Sequence, residues 1–143
     1  MKDIVEFPSR LSFLNKGTQE GGVVLKITVT STGKDLDSLL DERFGRTSYF
    51  IIMDTDSDKI EVIENQNSNS AHGTGVQVAQ FVSGMGAKAL ITGNIGPNAM
   101  RVLKASGIDI FRANSMTVRE ALQSFADGKL EKLSAATTDP HNA

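Results

Sequence analysis

Residues able to do chemistry are few in this chain, and they gather in two glycine-punctuated segments. In the first, Asn69-Ser70-Ala71-His72-Gly73-Thr74-Gly75, a single imidazole adjoins a Gly-Thr-Gly turn that leads into a helix. Free backbone N–H groups and the positive end of a helix dipole favour an anion at such a start. An imidazole beside them could ligate a metal or exchange a proton near neutral pH. The plainer reading is a tight strand-to-helix turn flanked by a solvated histidine. The second segment, Gly93-Asn94-Ile95-Gly96-Pro97-Asn98, repeats the device. Neither segment is a Walker loop, which would need Gly-Lys-Ser/Thr, and neither is a complete G-x-G-x-x-G. Two such turns in consecutive units raise the odds of a shared ligand.

Phe44-Gly45-Arg46 supplies a cationic candidate. The planar fork of Arg46 suits a phosphate or carboxylate; alternatively Phe44 is core and Arg46 partners a local carboxylate such as Asp41. The acidic residues fall in two clusters, Asp35/Asp37/Asp41 and Asp54/Asp56/Asp58. Both read as capping and turn residues. The apolar strands carry no carboxylate for paired metals of the kind nucleases use, and no Ser/His/Asp arrangement stands out. His141, the other histidine, lies in a polar C-terminal stretch.

The elements that must position these groups follow from hydrophobic pattern. Leu25–Thr30 and Ala87–Thr92 are nearly continuous apolar runs, as in central buried strands. Tyr49–Asp54 and Lys59–Glu64 flank turn chemistry at Asp56-Ser57-Asp58, and the second alternates polar with apolar, which predicts a hairpin at the sheet edge. A short helix is expected after Asp35, turning Leu36, Leu39 and Leu40 inward. Gly75–Met85 reads as a helix with Val76, Ala79, Val82 and Met85 in a stripe. Pro97 opens a helix carrying Ala99, Val102 and Leu103. Ile108–Phe111 is the last strand. Thr117-x-x-Glu120 is a capping box before Val118, Ala121, Leu122 and Phe125. The expected architecture is α/β: a five-stranded mixed sheet with helices on both faces, its ligand edge at the carboxyl ends of the strands. The expected organisation is a flexible extension over residues 1–22, one domain over 23–128 and a polar tail over 129–143.

With 143 residues, net charge −2 and no cysteine, the chain fits a single domain. It cannot form a disulfide, a Cys-ligated zinc site or a thiolate-held iron–sulfur cluster. The slightly acidic balance argues against nucleic-acid binding. No run approaches the ~18 apolar residues of a membrane helix, and the first residues lack a secretory apolar core. The expectation is a cytoplasmic protein without a membrane partner.

Ile27-Thr28-Val29-Thr30, Leu36-Asp37-Ser38, Arg43-Phe44-Gly45-Arg46, Tyr49-Phe50, His72-Gly73-Thr74-Gly75 and Ile91-Thr92-Gly93-Asn94-Ile95-Gly96-Pro97-Asn98-Ala99 together resemble the dinitrogenase iron–molybdenum cofactor biosynthesis family. The similarity covers about residues 25–125. The resemblance implies a ribonuclease-H-like three-layer α/β/α fold. It also implies a non-catalytic binding or carrier role for an iron–molybdenum cofactor precursor, an iron–sulfur cluster or a related metallocluster, alongside cofactor-assembly proteins. In the family a histidine or cysteine is thought to contact the cluster, and His72 is the counterpart here, hence the metal-ligand candidate. Gly73, Thr74, Gly75, Gly93, Asn94, Gly96 and Asn98 would cradle the anionic cargo, with Arg46 as counter-charge. The alternative is a regulatory module that takes a small anion or nucleotide on the same turns without metal.

Overall fold

The computed structural model describes residues 26–55, 57, 59–66 and 74–137. The extension expected at 1–22, Asp56 and Asp58 of the hairpin turn, His72 and Gly73 of the first glycine segment, and His141 lie outside the described residues. The described elements run β1 (Lys26–Ser31), β2 (Tyr49–Asp54), β3 (Lys59–Glu64), α1 (Thr74–Gly84), β4 (Ala89–Thr92), α2 (Pro97–Ala105), β5 (Asp109–Arg112), α3 (Val118–Ala126) and β6 (Glu131–Lys132).

The sheet has six strands in the order β3-β2-β1-β4-β5-β6, one more than the pattern predicted. The extra strand is β6, a pair of charged residues from the stretch read as tail, bound antiparallel to Phe111 and Arg112 of β5. Its strand character comes from that pairing and leaves no hydrophobic signature. The central strands are β1 and β4, parallel to each other, as their apolar runs require. The expected hairpin forms with Tyr49 opposite Glu64 and Asp54 opposite Lys59. Its outer strand β3 is largely exposed, in keeping with its period-2 pattern.

Alternate residues of the strands feed two cores. Phe50, Leu90 and Ile110 meet Val78, Ala79 and Val82 of α1 and Ala99, Met100 and Leu103 of α2. Ile27, Val29, Ile51, Met53 and Ile91 meet Val118, Ala121 and Leu122 of α3. Side chains of this size each contribute about 1.5–3 kcal/mol when fully buried, so these two layers hold the sheet between its helices. The helix stripes shift slightly from expectation: Val78 and Met100 are buried where Val76 and Val102 are partly exposed.

The short helix expected after Asp35 does not form. Asp35 instead closes a turn, its carboxylate accepting the Asp37 N–H at 3.1 Å while its carbonyl accepts the Ser38 N–H at 3.0 Å. Backbone groups that a helix would use internally go to distant partners. Leu40 N–H donates to Met116 O, Val118 N–H to Ser38 O, and Arg119 N–H to Leu36 O. Leu36 and Leu40 are buried as predicted, but Leu39 is 59% exposed, because a single extended residue cannot aim the same way as its neighbour.

Candidate functional site

Because β1, β4 and β5 are parallel, and β3 runs with β1 through two antiparallel steps, all four strands end at one edge of the sheet. Ser31, Glu64, Thr92 and Arg112 are their last residues. The described segments that follow are therefore neighbours, and each of the three described helices begins there. The described end of the first glycine segment reaches this edge too: α1 starts at Thr74, and a Cβ placed on Gly75 would lie 3.5 Å from Ala99 Cβ in the first turn of α2. That proximity places the N-terminal ends of α1 and α2 side by side. Both direct positive dipole ends toward the same strip of surface.

The Phe44-Gly45-Arg46 loop is built on a buried polar layer. Thr30, Ser31, Asp41, Thr47 and Asn65 are all at most 5% exposed, and every such group needs a partner. Thr30 Oγ1 donates to Asp41 O at 2.6 Å. Thr47 Oγ1 accepts the Ser31 N–H at 3.1 Å. Asn65 Nδ2 donates to Gly45 O at 3.2 Å and Thr47 O at 2.8 Å, and its backbone N–H donates to Ser48 O at 3.0 Å. Asn65 thus ties the Phe-Gly-Arg loop to the start of the loop that leads to His72. Phe44 is core, as one reading held. The carboxylate of Asp41 is gripped by Arg43, whose Nε and Nη2 each donate at 3.0 Å. It also accepts the backbone N–H groups of Arg43 and Ser48 at 3.1 and 3.3 Å. That hydrogen bonding, then the Coulomb attraction of Asp41, raises the Arg43 pKa above its ordinary value. Arg46 stands exposed on the surface of the loop.

The second glycine segment is locked to this loop. Asn94 N–H donates to Glu42 O at 2.8 Å, and Phe44 N–H donates to Asn94 O at 3.2 Å. Gly93 makes the approach possible: a Cβ there would fall 2.6 Å from Glu42 Cβ and 2.7 Å from Glu42 Cα. The Asn94 side-chain oxygen accepts from Arg112 Nη2 at 3.2 Å. Arg112 Nε is buried with no partner among the described residues. Gly96 is the N-cap of α2 and brings no side-chain cap, so Pro97 and the N–H groups of Asn98 and Ala99 open the helix unassisted. Asn98 is exposed, its side-chain oxygen accepting from Arg101 Nη1 at 3.1 Å. The loop after β5 is tied in by Glu42, whose carboxylate accepts the Ser115 N–H at 2.8 Å. Ser115 has φ of 54°, a conformation uncommon outside glycine.

Of the residues singled out by sequence, Arg46, Gly75, Gly93, Asn94, Gly96 and Asn98 share this edge, as does the backbone of Thr74; His72 and Gly73 lie outside the described residues. Sequence reasoning missed Asp41 as the partner of Arg43, and it missed Glu42, Asn65, Arg112 and Thr137. Thr137 belongs to the expected tail, yet its Oγ1 accepts the Ile95 N–H at 2.8 Å and its own N–H donates to Ile95 O at 2.9 Å. These residues are ordinary polar types, and only their non-local partners mark them. A groove of about 430 Å³, lined by Lys104, Gly107, Asp109 and Lys132 among others, opens at the opposite edge, remote from these loops. Among the described residues no group of three or more His, Cys, Asp or Glu is placed to hold a metal ion. No described helix is long and apolar enough to cross a membrane.

Comparison with known proteins agrees with the motifs. The family profile described as dinitrogenase iron-molybdenum cofactor matches residues 25–128. An uncharacterized protein of Methanocaldococcus jannaschii is 37% identical over 113 residues, which is 76% of this chain and 96% of that protein. Among solved structures, the apo form of the orange protein from Desulfovibrio gigas superposes with a TM-score of 0.76 at 36% identity, covering 79% of this chain and 96% of the other. A NifB-like protein of the DUF35 family from Thermotoga gives a TM-score of 0.72 at 43% identity, covering 80% and 97%. With the profile spanning most of its length, this chain belongs to the dinitrogenase iron-molybdenum cofactor family.

Proposed function

We propose that this chain is a non-catalytic carrier that binds an anionic metallocluster, an iron–molybdenum cofactor precursor or a related iron–sulfur species, at the carboxyl edge of its sheet. The observation that carries this reading is the meeting of the α1 and α2 N-termini beside the Phe44-Gly45-Arg46 loop, in a chain of this family. Its likeness to the orange protein and to the NifB-like protein supports it. His72, two residues before α1, is the proposed ligand to the cargo. Backbone N–H groups of Thr74, Gly75, Gly96 and Asn98 would receive its negative charge, with Arg46 as counter-ion, while Gly93 and Asn94 shape the turn, whose Asn94 and Ile95 N–H groups are taken by Glu42 and Thr137. Gly73 would let the chain approach closely.

The chain holds no cysteine, so no thiolate, the usual holder of iron–sulfur clusters, is available. One imidazole, amide dipoles and a guanidinium make an open, weak site, suited to receiving a cluster and passing it to cofactor-assembly proteins in the cytoplasm. The test is anaerobic titration with tetrathiomolybdate as an anionic metal–sulfide probe, followed by its absorbance and by retention on desalting. Wild type should retain the probe with a shifted absorbance band, and His72→Ala should weaken retention. Failure of wild type to retain it rejects the reading.

A second reading is favoured by the same paired helix starts, which suit any small anion. On that reading the chain is a phosphate- or nucleotide-binding regulatory module. Chelator-treated protein would then be stabilised in thermal-shift assays by phosphate-bearing ligands, which the cluster reading does not require.

A further inference from the structure

We infer that Thr137 is a positioning residue of the candidate site, a post to which the turn that opens α2 is fastened. The inference rests on the carrier reading above and deepens it. Ile95 lies between Asn94, tied to the Arg43–Phe44 loop, and Gly96, the N-cap of α2. Its side chain is buried in the core under α1 and α2. Both of its backbone groups are taken by Thr137, which receives the Ile95 N–H on its hydroxyl at 2.8 Å and donates its own N–H to Ile95 O at 2.9 Å. The hydroxyl also lies 3.3 Å from Ile95 O, to which it can donate.

A post must itself be fixed, and the segment leading to Thr137 is. β6 pairs with β5, and Leu133 is buried and donates its N–H to Ile110 O at 2.8 Å. Lys104 Nζ donates to Ser134 O at 2.7 Å, and Ala136 packs on the same core as Ile95. The segment therefore runs from the far side of α2 to the turn at its N-terminus and holds that turn in register. Because only Gly96 and Pro97 separate Ile95 from Asn98 and Ala99, a shift at Ile95 displaces the α2 start relative to Gly75 and α1. A buried N–H that loses its acceptor must find another or move toward water, so the hydroxyl of Thr137 sets where the α2 dipole points.

The experiment compares Thr137→Val, which keeps shape and loses the hydroxyl, with Thr137→Ser, which keeps it. Amide hydrogen exchange at Ile95 and at Leu90 in β4 is read by NMR, and tetrathiomolybdate retention is measured in parallel. In Thr137→Val the Ile95 amide should exchange about tenfold faster, the scale of one lost hydrogen bond, with Leu90 unchanged and probe retention weakened several-fold. Thr137→Ser should match wild type in both. Wild-type exchange and retention in Thr137→Val overturns the inference, as does equal loss in both variants. If wild type retains no probe, the carrier reading falls separately, and exchange alone decides: faster exchange at Ile95 in Thr137→Val upholds the post, and unchanged exchange removes it.

Discussion

Gly93→Ala tests how the two halves of the site are joined. The added Cβ falls 2.6 Å from Glu42 Cβ, 2.7 Å from Glu42 Cα and 2.9 Å from Glu42 Cγ. Comfortable carbon contacts lie near ~3.5–4.0 Å, so the turn after β4 and the segment at Glu42 must separate by roughly 1 Å. No rotamer change relieves this, because the Cα and Cβ of Glu42 move only with the backbone. That backbone is held by the Asn94 N–H bond to Glu42 O at 2.8 Å and, through its carboxylate, by Ser115 N–H. Overpacking of this kind costs about 1–3 kcal/mol. Gly93 is not in the positive-φ region, so alanine adopts its backbone freely and recovers about 0.4–1 kcal/mol by restricting the unfolded chain. The net expectation is a loss of about 1–2 kcal/mol, or a fall in Tm of roughly 3–10 °C for a domain of this size. Gly75→Ala is the internal control. Its Cβ would meet Ala99 Cβ at an ordinary 3.5 Å, and its expected stability is equal to wild type or higher by up to about 1 kcal/mol. Urea denaturation and thermal melts of the two variants decide the matter. A Gly93→Ala protein as stable as Gly75→Ala would refute the close approach as the reason for glycine.

Asn65→Ala removes two donors from the carbonyls of Gly45 and Thr47 and should cost about 1–3 kcal/mol. Hydrogen exchange should accelerate across Phe44–Ser48 before it does in β1, and uniform acceleration would contradict the proposed local tie. Thr117→Ala breaks a capping box in which Thr117 Oγ1 accepts the Glu120 N–H at 3.1 Å and Glu120 Oε1 accepts the Thr117 N–H at 2.9 Å. It should lower stability by about 1 kcal/mol in urea titration, while an unchanged midpoint would show that the α3 start is held by packing instead.

Legibility of the site in the sequence follows the range of the forces that build it. The Pro97 start of α2 and the helix beginning near Gly75 depend on a few adjacent residues, and each stands within a residue of where pattern placed it, while Phe44 is core as one of its two readings held. The bidentate grip of Arg43 on Asp41 spans two residues, yet burial of Asp41 is what gives it weight, and no sequence period encodes that burial. Asn65 reads as one more polar loop residue until the carbonyls of Gly45 and Thr47 are seen above it. Thr137 is 42 residues from the backbone it holds.

The same division runs through the whole molecule. The amino-acid sequence by itself determined the hairpin, whose apolar first run and alternating second run match the observed strands at both ends. It also determined the central place of β1 and β4, whose apolar runs tolerate no solvated face, and the α3 cap, where both partners lie within one turn. Tertiary structure alone decided that residues 36–40 become a bridged turn, that Glu131–Lys132 becomes a strand, and that Gly93 must lack a side chain. In each case the deciding partner is distant in the chain: Met116 and Val118 for the turn, Phe111 for the strand, Glu42 for the glycine. Local patterns record which face of an element meets the core. They do not record which other loop will arrive at its end, and that arrival is what assembles the site.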